Sequence, residues 1–372
     1  MKSCVYWQEV QKASDNASPI VQKTLEDLVE SATTNSQEVL TALSTRRVES
    51  TRLREFVCQQ AYCLGEQKDF PNDFFKVTAA LEVYNLSTYM INWVLDNKGS
   101  LDTQTKKNVA VIEGMRLYDA AQDLLLQTPF ENKRVLQDGM RELNQTLYHG
   151  QLLDTDELTL SQQAHELPEK EYLRKYLQTS YKKCGAFMQY VTFAGSFLAS
   201  HSPEKQRALQ VYGALFGTGV QIVNDLADCV VVDKEEFFQK PQSDLFSDVE
   251  NGFITPTTYM LLKNSSQKSI SSSLSTKQKE SLTKQLIDIN AFYTGFRMAS
   301  YLRKQAKKAL ASEFSSEQKK YLSSATVLLT SSKIHKLLRE DCGYVYKKNL
   351  LSDTQEVLEE FTYSINDEIR FF

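Results

Sequence analysis

The chain has 372 residues, 41% hydrophobic and 24% charged, with 43 basic against 47 acidic side chains and a formal net charge of −4. The charges are interspersed without a Lys/Arg stripe, which argues against nucleic acid as a partner. No apolar run reaches the about 18 residues of a membrane span, and Met1 to Gln11 lacks a basic segment followed by a long apolar one, so a cytoplasmic protein without stable membrane insertion is expected. The six cysteines (Cys4, Cys58, Cys63, Cys184, Cys229 and Cys342) form no CxxC pair, and several lie in apolar helical runs, as fits a reducing compartment.

With 7 Pro and 13 Gly, and apolar residues recurring every three to four positions, the pattern predicts an all-α fold. In chain order, helices are predicted over 18–44, 47–66, 72–96, 103–127, 132–154, 170–200, 204–232, 254–263, 276–310 and 315–336. Loops are expected at Pro241–Gly252 and in the Ser-rich stretch Asn264–Thr276. Ser352 followed by Gln355 reads as a capping box that opens a helix over 353–366. The organisation expected is one helical domain over 1–336 with a C-terminal helical extension over 337–372, and no internal repeat is visible.

The strongest chemical signal is Val220-Gln221-Ile222-Val223-Asn224-Asp225-Leu226-Ala227-Asp228. Asp225 and Asp228, three apart, share one face of a largely apolar helix. Carboxylates turned inward are costly unless neutralised, and with no Lys or Arg interleaved a hard divalent cation is the usual solution, so a Mg²⁺–diphosphate site is expected. A second acidic element lies on the helix 72–96, where Asn92 and Asp96 are at i and i+4. If the two helices face one another, these polar ends can share metal, as bundle sites do. His149, His165, His201 and His335 show no metal-ligand spacing.

Together these segments resemble the two aspartate-rich motifs of the trans-isoprenyl diphosphate synthases, also called polyprenyl synthetases. The second motif, Phe-Gln-Ile-x-Asp-Asp-x-x-Asp in the family, is matched by Val220 to Asp228, with Asn224 in place of the first Asp. The first, Asp-Asp-x-x-Asp, falls on Asn92-Trp93-Val94-Leu95-Asp96 and keeps only its last carboxylate. Arg52-Leu53-Arg54, Gly150-Gln151, Lys183-Cys184, Lys240-Pro241-Gln242-Ser243-Asp244 and Gly252-Phe253-Ile254-Thr255 follow the family's remaining motifs in order. The resemblance spans about 20 to 330.

It implies an isoprenoid synthase-type helical bundle, a homodimer, and Mg²⁺-dependent ionisation of an allylic prenyl diphosphate. Metal ligands by this resemblance are Asn92, Asp96, Asn224, Asp225 and Asp228, with Asp96, Asp225 and Asp228 the catalytic carboxylates. Lys183 and Lys240 hold the diphosphate and Gln221 orients it. Arg54 survives from the site of isopentenyl diphosphate, where a Lys has become Thr51 and a His Asn85; Phe253 replaces a third diphosphate lysine. Trp93, Tyr84 and Tyr89 are placed to stabilise carbocations by cation–π contact, and the small Ser87 and Thr88 leave depth for a C15 or C20 chain. The depleted second site points first to terpene synthase chemistry. The alternatives are prenyl transfer, to isopentenyl diphosphate or to another acceptor, and a catalytically silent subunit that pairs with an intact synthase.

Overall fold

The structure is a computed structural model that describes residues 19–32, 36, 37, 39, 52–64, 70–96, 103–153, 166–229, 245–264, 273–329 and 352–368. Among the described residues there is helix and no strand. The helices are α1 Pro19–Glu30, α2 Leu53–Cys63, α3 Asn72–Leu95, α4 Gln104–Leu126, α5 Lys133–Leu153, α6 Glu169–Ser180, α7 Ala186–Leu198, α8 Pro203–Asp228, α9 Ser247–Glu250, α10 Pro256–Asn264, α11 Thr276–Asp288, α12 Phe292–Ala311, α13 Lys320–Ala325 and α14 Thr354–Glu368. A π-helical turn, Tyr181–Gly185, joins α6 to α7, and a 3₁₀ turn, Thr326–Leu329, follows α13.

Residue pattern decides which helices are central. From Thr78 to Ser87 on α3, and from Ala186 to Ser196 on α7, every side chain is buried, which puts both at the centre of the bundle; α7 is predominantly apolar, whereas α3 also encloses Asn85 and Glu82, the latter accepting the Glu55 N–H. α8 is buried almost as fully and packs against both α7 and α12. Its backbone comes very close to α7 and to the π turn before it, because a Cβ on Gly213 would lie 2.4 Å from the Met188 carbonyl oxygen and one on Gly217 2.6 Å from that of Cys184 in the π turn. The amphipathic α5 and α12 lie around this centre.

The caps explain several boundaries. Ser202 accepts the Lys205 N–H, and Pro203 occupies the first turn of α8, where its missing N–H costs nothing. Ser275 and Gln278 form a reciprocal capping box at the start of α11.

Several expectations need correction. The first helix, predicted over 18–44, stops at Glu30 and the chain turns at Ser31. The helix predicted over 170–200 is interrupted by the π turn, and that over 276–310 by a break at Ile289–Ala291, where Asn290 takes φ 60°. The Pro241–Gly252 loop contains the short helix α9. Periodicity alone carries through such breaks because the apolar stripe resumes in nearly the same phase.

The C-terminal helix exists, but its entry differs from the expected capping box. Gln355 donates to Glu359 instead of reaching back, while the Ser352 hydroxyl and the Asp353 N–H both donate to Glu169 at the start of α6. Further along, Arg174 forks onto Glu360 at 2.8 and 2.9 Å, and Lys170 pairs with Glu356 and with Glu360. At its far end Arg207 of α8 donates to the Asn366 carbonyl. α14 thus lies along α6 and touches α8 and α12.

Candidate active site

Asp225 and Asp228 close the last turn of α8 and are 7% and 0% exposed. Their surroundings differ. The Tyr176 hydroxyl on α6 donates to Asp225 Oδ2 at 2.6 Å, and Gln221, one turn back, donates to Oδ1 at 2.7 Å. Burial foremost, and the like charge of Asp248, push the Asp225 carboxyl up to about 7 against the opposing pull of Tyr176, Lys183 and Gln221. Burial and the neighbouring carboxylate hold Tyr176 well above the usual phenol range, so its hydroxyl serves Asp225 as a donor.

Asp228 faces the chain that follows. Its Oδ1 accepts the Ser247 hydroxyl at 3.1 Å, its Oδ2 accepts the Asp248 N–H at 3.2 Å, and its carbonyl accepts the Phe246 N–H at 2.8 Å. The carboxylate therefore anchors the segment 245–252, which Lys279 also ties down through Leu245 and Glu250. From that segment the Asn251 amide donates to the Asp96 carbonyl at 2.6 Å, joining the end of the first acidic motif to the second. Gly252, with φ 78°, makes the turn that sends Phe253 back over Lys183, whose Nζ lies 5.8 Å from the ring centroid.

Lys183 sits on the π turn, a bulge of the kind that often marks functional positions in helices. The turn rests on α5, where a Cβ on Gly150 would lie 2.7 Å from Lys182 Cβ, so the Gly-Gln pair supplies close approach. The Cys184 thiol stands beside Lys183 and is partly exposed.

Deeper in the bundle, Tyr84 is fully buried, donates to Asn144 at 2.9 Å and packs 5.2 Å from Phe187. The Arg54 guanidinium lies over that same Phe187 ring at 5.2 Å, and its buried Nε has no hydrogen-bond partner among the described residues. Ser87 donates to the Gly114 carbonyl of α4 and Thr88 to the Asn85 carbonyl, so both hydroxyls face backbone. Tyr89 and Trp93 meet edge to face at 5.0 Å. Asn92, Asn224 and Asp96 are partly exposed at the helix ends, and Lys240 lies outside the described residues.

The fold thus gathers Asp225, Gln221, Asp228 and Lys183, with the Asp96 backbone tied in through Asn251. Sequence reasoning missed Tyr176 and Asp248. The second had a visible signal: Ser-Asp occurs at 243–244 and again at 247–248, and the later pair lies four residues closer to Gly252. Tyr176 had none, being one of 18 tyrosines on a helix with no acidic motif.

Among the described residues no three His, Cys, Asp or Glu side chains form a ready metal cluster. Mg²⁺ does not require one, since it keeps several waters and takes one or two carboxylates plus substrate phosphates. The buried Asp225 carboxyl, raised partly by Asp248, is a pair whose mutual repulsion a divalent cation relieves, and the donor set fits that ion.

A family model described as polyprenyl synthetase matches residues 50–290. A short chain isoprenyl diphosphate synthase of Methanothermobacter thermautotrophicus is 27% identical over 205 residues, which span 53% of this chain and 59% of that protein, less than two thirds of its length. Among solved structures, a heptaprenyl diphosphate synthase from Staphylococcus aureus superposes with a TM-score of 0.69 at 18% identity, covering 85% of this chain and 97% of that one. A polyprenyl synthase from Caulobacter crescentus complexed with calcium and isoprenyl diphosphate gives 0.70 at 16% identity, covering 87% and 98%. At these identities the likeness is one of fold.

Proposed function

The chain belongs to the polyprenyl synthetase family, and from that premise we propose that it ionises an allylic prenyl diphosphate with Mg²⁺ and transfers the prenyl group to an acceptor. The observation that carries this reading is Asp225, a buried carboxyl kept oriented by Tyr176 and Gln221 within the fields of Asp248 and Lys183. A carboxyl so costly to ionise, set beside a lysine at a π turn, suits a site for a cation and a diphosphate.

Asp225 and Asp248 would hold Mg²⁺, with Asp96, Asn92 and Asn224 offering further oxygens from the helix ends. When bound, the ion supplies charge neutralisation for the departing diphosphate. Lys183, with Lys240, grips that diphosphate as the C–O bond breaks. Tyr89 and Trp93 face the cation, and the acceptor's attack followed by proton loss completes the transfer. Arg54, whose described contact is a ring face and not a carboxylate, supports a second anion seat and with it an anionic acceptor. Asp228 serves by holding the 245–252 segment in place.

A second reading, terpene synthase chemistry, draws on Phe253, an aromatic ring over Lys183 where the resemblance puts a lysine. In that reading the cation is quenched within its own chain. A homodimer is supported by the exposed apolar side chains Ile112 and Met115 on α4 and Tyr148 and Leu152 on α5.

The test is to incubate the protein and Mg²⁺ with geranyl, farnesyl and geranylgeranyl diphosphates, each with and without isopentenyl diphosphate. A longer diphosphate is the expected product. Hydrocarbon formed without isopentenyl diphosphate selects the second reading. No turnover with any substrate, together with co-purification of an intact synthase, overturns both in favour of a silent subunit.

A further inference from the structure

The C-terminal helix and the acidic site share one element, α6. On its outer side, Glu169, Lys170 and Arg174 are pinned to α14 through Asp353, Glu356 and Glu360. On its inner side, Tyr176 donates to Asp225 at 2.6 Å. Between these contacts runs a column of rings: Tyr176 stacks on Tyr172 at 6.2 Å, and Tyr172 stacks on Tyr259 of α10 at 4.0 Å with planes 7° apart. The Tyr172 hydroxyl donates to the Ile254 carbonyl, next to the Phe253 that covers Lys183. The column therefore fixes the height of the phenol relative to both the carboxylate and the segment over it.

We infer that Tyr176 is a positioning residue for the Asp225 carboxylate, and that the C-terminal helix holds α6 where this hydroxyl reaches it. The inference rests on the Mg²⁺ site proposed above. A carboxylate with two oxygens already oriented meets a cation without first searching rotamers, and partners that hydrogen-bond to a ligand typically contribute about 10- to 100-fold to metal affinity. In this arrangement Gln221 fixes one oxygen from the same helix, whereas Tyr176 fixes the other from a neighbouring one. Only the second contact changes when α6 moves, which makes it the point where α14 can act on the site.

The measurement is the Mg²⁺ concentration that half-saturates the rise in melting temperature at a fixed concentration of unreactive farnesyl thiodiphosphate. It needs no turnover. Tyr176→Phe removes one oxygen and keeps the ring stack, so the expected result is a rise of about 10-fold or more in that concentration. Lys170→Glu/Arg174→Glu, which sets like charges along α14, raises it as well, and adding Glu356→Lys/Glu360→Arg restores it. A wild-type response with an unchanged Tyr176→Phe variant overturns the positioning role and leaves the proposed function standing. If the charge variants alter the melting temperature of the metal-free protein and leave half-saturation unchanged, the role of α14 is overturned. A wild-type protein that does not respond to Mg²⁺ removes the metal site and this inference together.

Discussion

Asp225→Asn in the metal-free protein isolates the energetic cost of the buried carboxyl. In the folded chain this group is raised from 3.8 to about 7, chiefly by burial and then by Asp248. A raised carboxyl contributes stability that is fully present below its unfolded value and is lost as pH climbs through about 7. Three pH units at about 1.4 kcal/mol each give a loss on the order of 4 kcal/mol between pH 4 and pH 8. The Asn variant carries no charge at either pH and keeps an oxygen for Tyr176, giving up one accepted hydrogen bond at a pH-independent cost of about 1 kcal/mol. Urea unfolding in EDTA, followed by far-UV circular dichroism, should find Asp225→Asn slightly weaker than wild type at pH 4 and a few kcal/mol stronger at pH 8. Taking the difference between the two proteins cancels the titrating groups that do not interact with Asp225, and leaves Asp225 together with its repulsion from Asp248. Parallel stability curves across this range would refute the reasoning, because they would mean that Asp225 ionises as easily folded as unfolded.

Other substitutions probe the frame around the site. Gly185→Ala places a Cβ 2.5 Å from Thr218 Oγ1 and 2.9 Å from the Ala214 carbonyl oxygen, so overpacking of about 1–3 kcal/mol is expected as a lower melting temperature. Ser247→Ala deletes the hydroxyl that donates to Asp228 and should cost about 1–2 kcal/mol in denaturant unfolding, with faster proteolysis of the 245–252 segment. If the proposed homodimer forms through the exposed apolar face of α4, Ile112→Asp/Met115→Asp, at 63% and 59% exposure, should sediment as a monomer where the wild type sediments as a dimer, without lowering helicity; a monomeric wild type refutes the proposed dimer.

The all-α class and the order of the helices were legible because a 3.6-residue apolar period survives in the sequence itself. Core helices such as α7 also declare themselves by being apolar all round. The breaks were less legible. The π turn at Tyr181–Gly185 adds a residue to a helix without changing its composition, and the pause at Ile289–Ala291 contains neither Gly nor Pro.

The same division runs through the site. By itself the sequence determined that Asp225 and Asp228 share a helix face and that Gln221 lies one turn below, because spacing along one helix is local geometry. Only the tertiary structure decided their separate fates. Asp228 turns to the Ser247 hydroxyl and the Asp248 N–H, while Asp225 is met by a tyrosine 49 residues earlier in the chain. Which face of α6 packs against α8, and how the C-terminal helix returns to brace it, depends on long-range packing that no local pattern encodes.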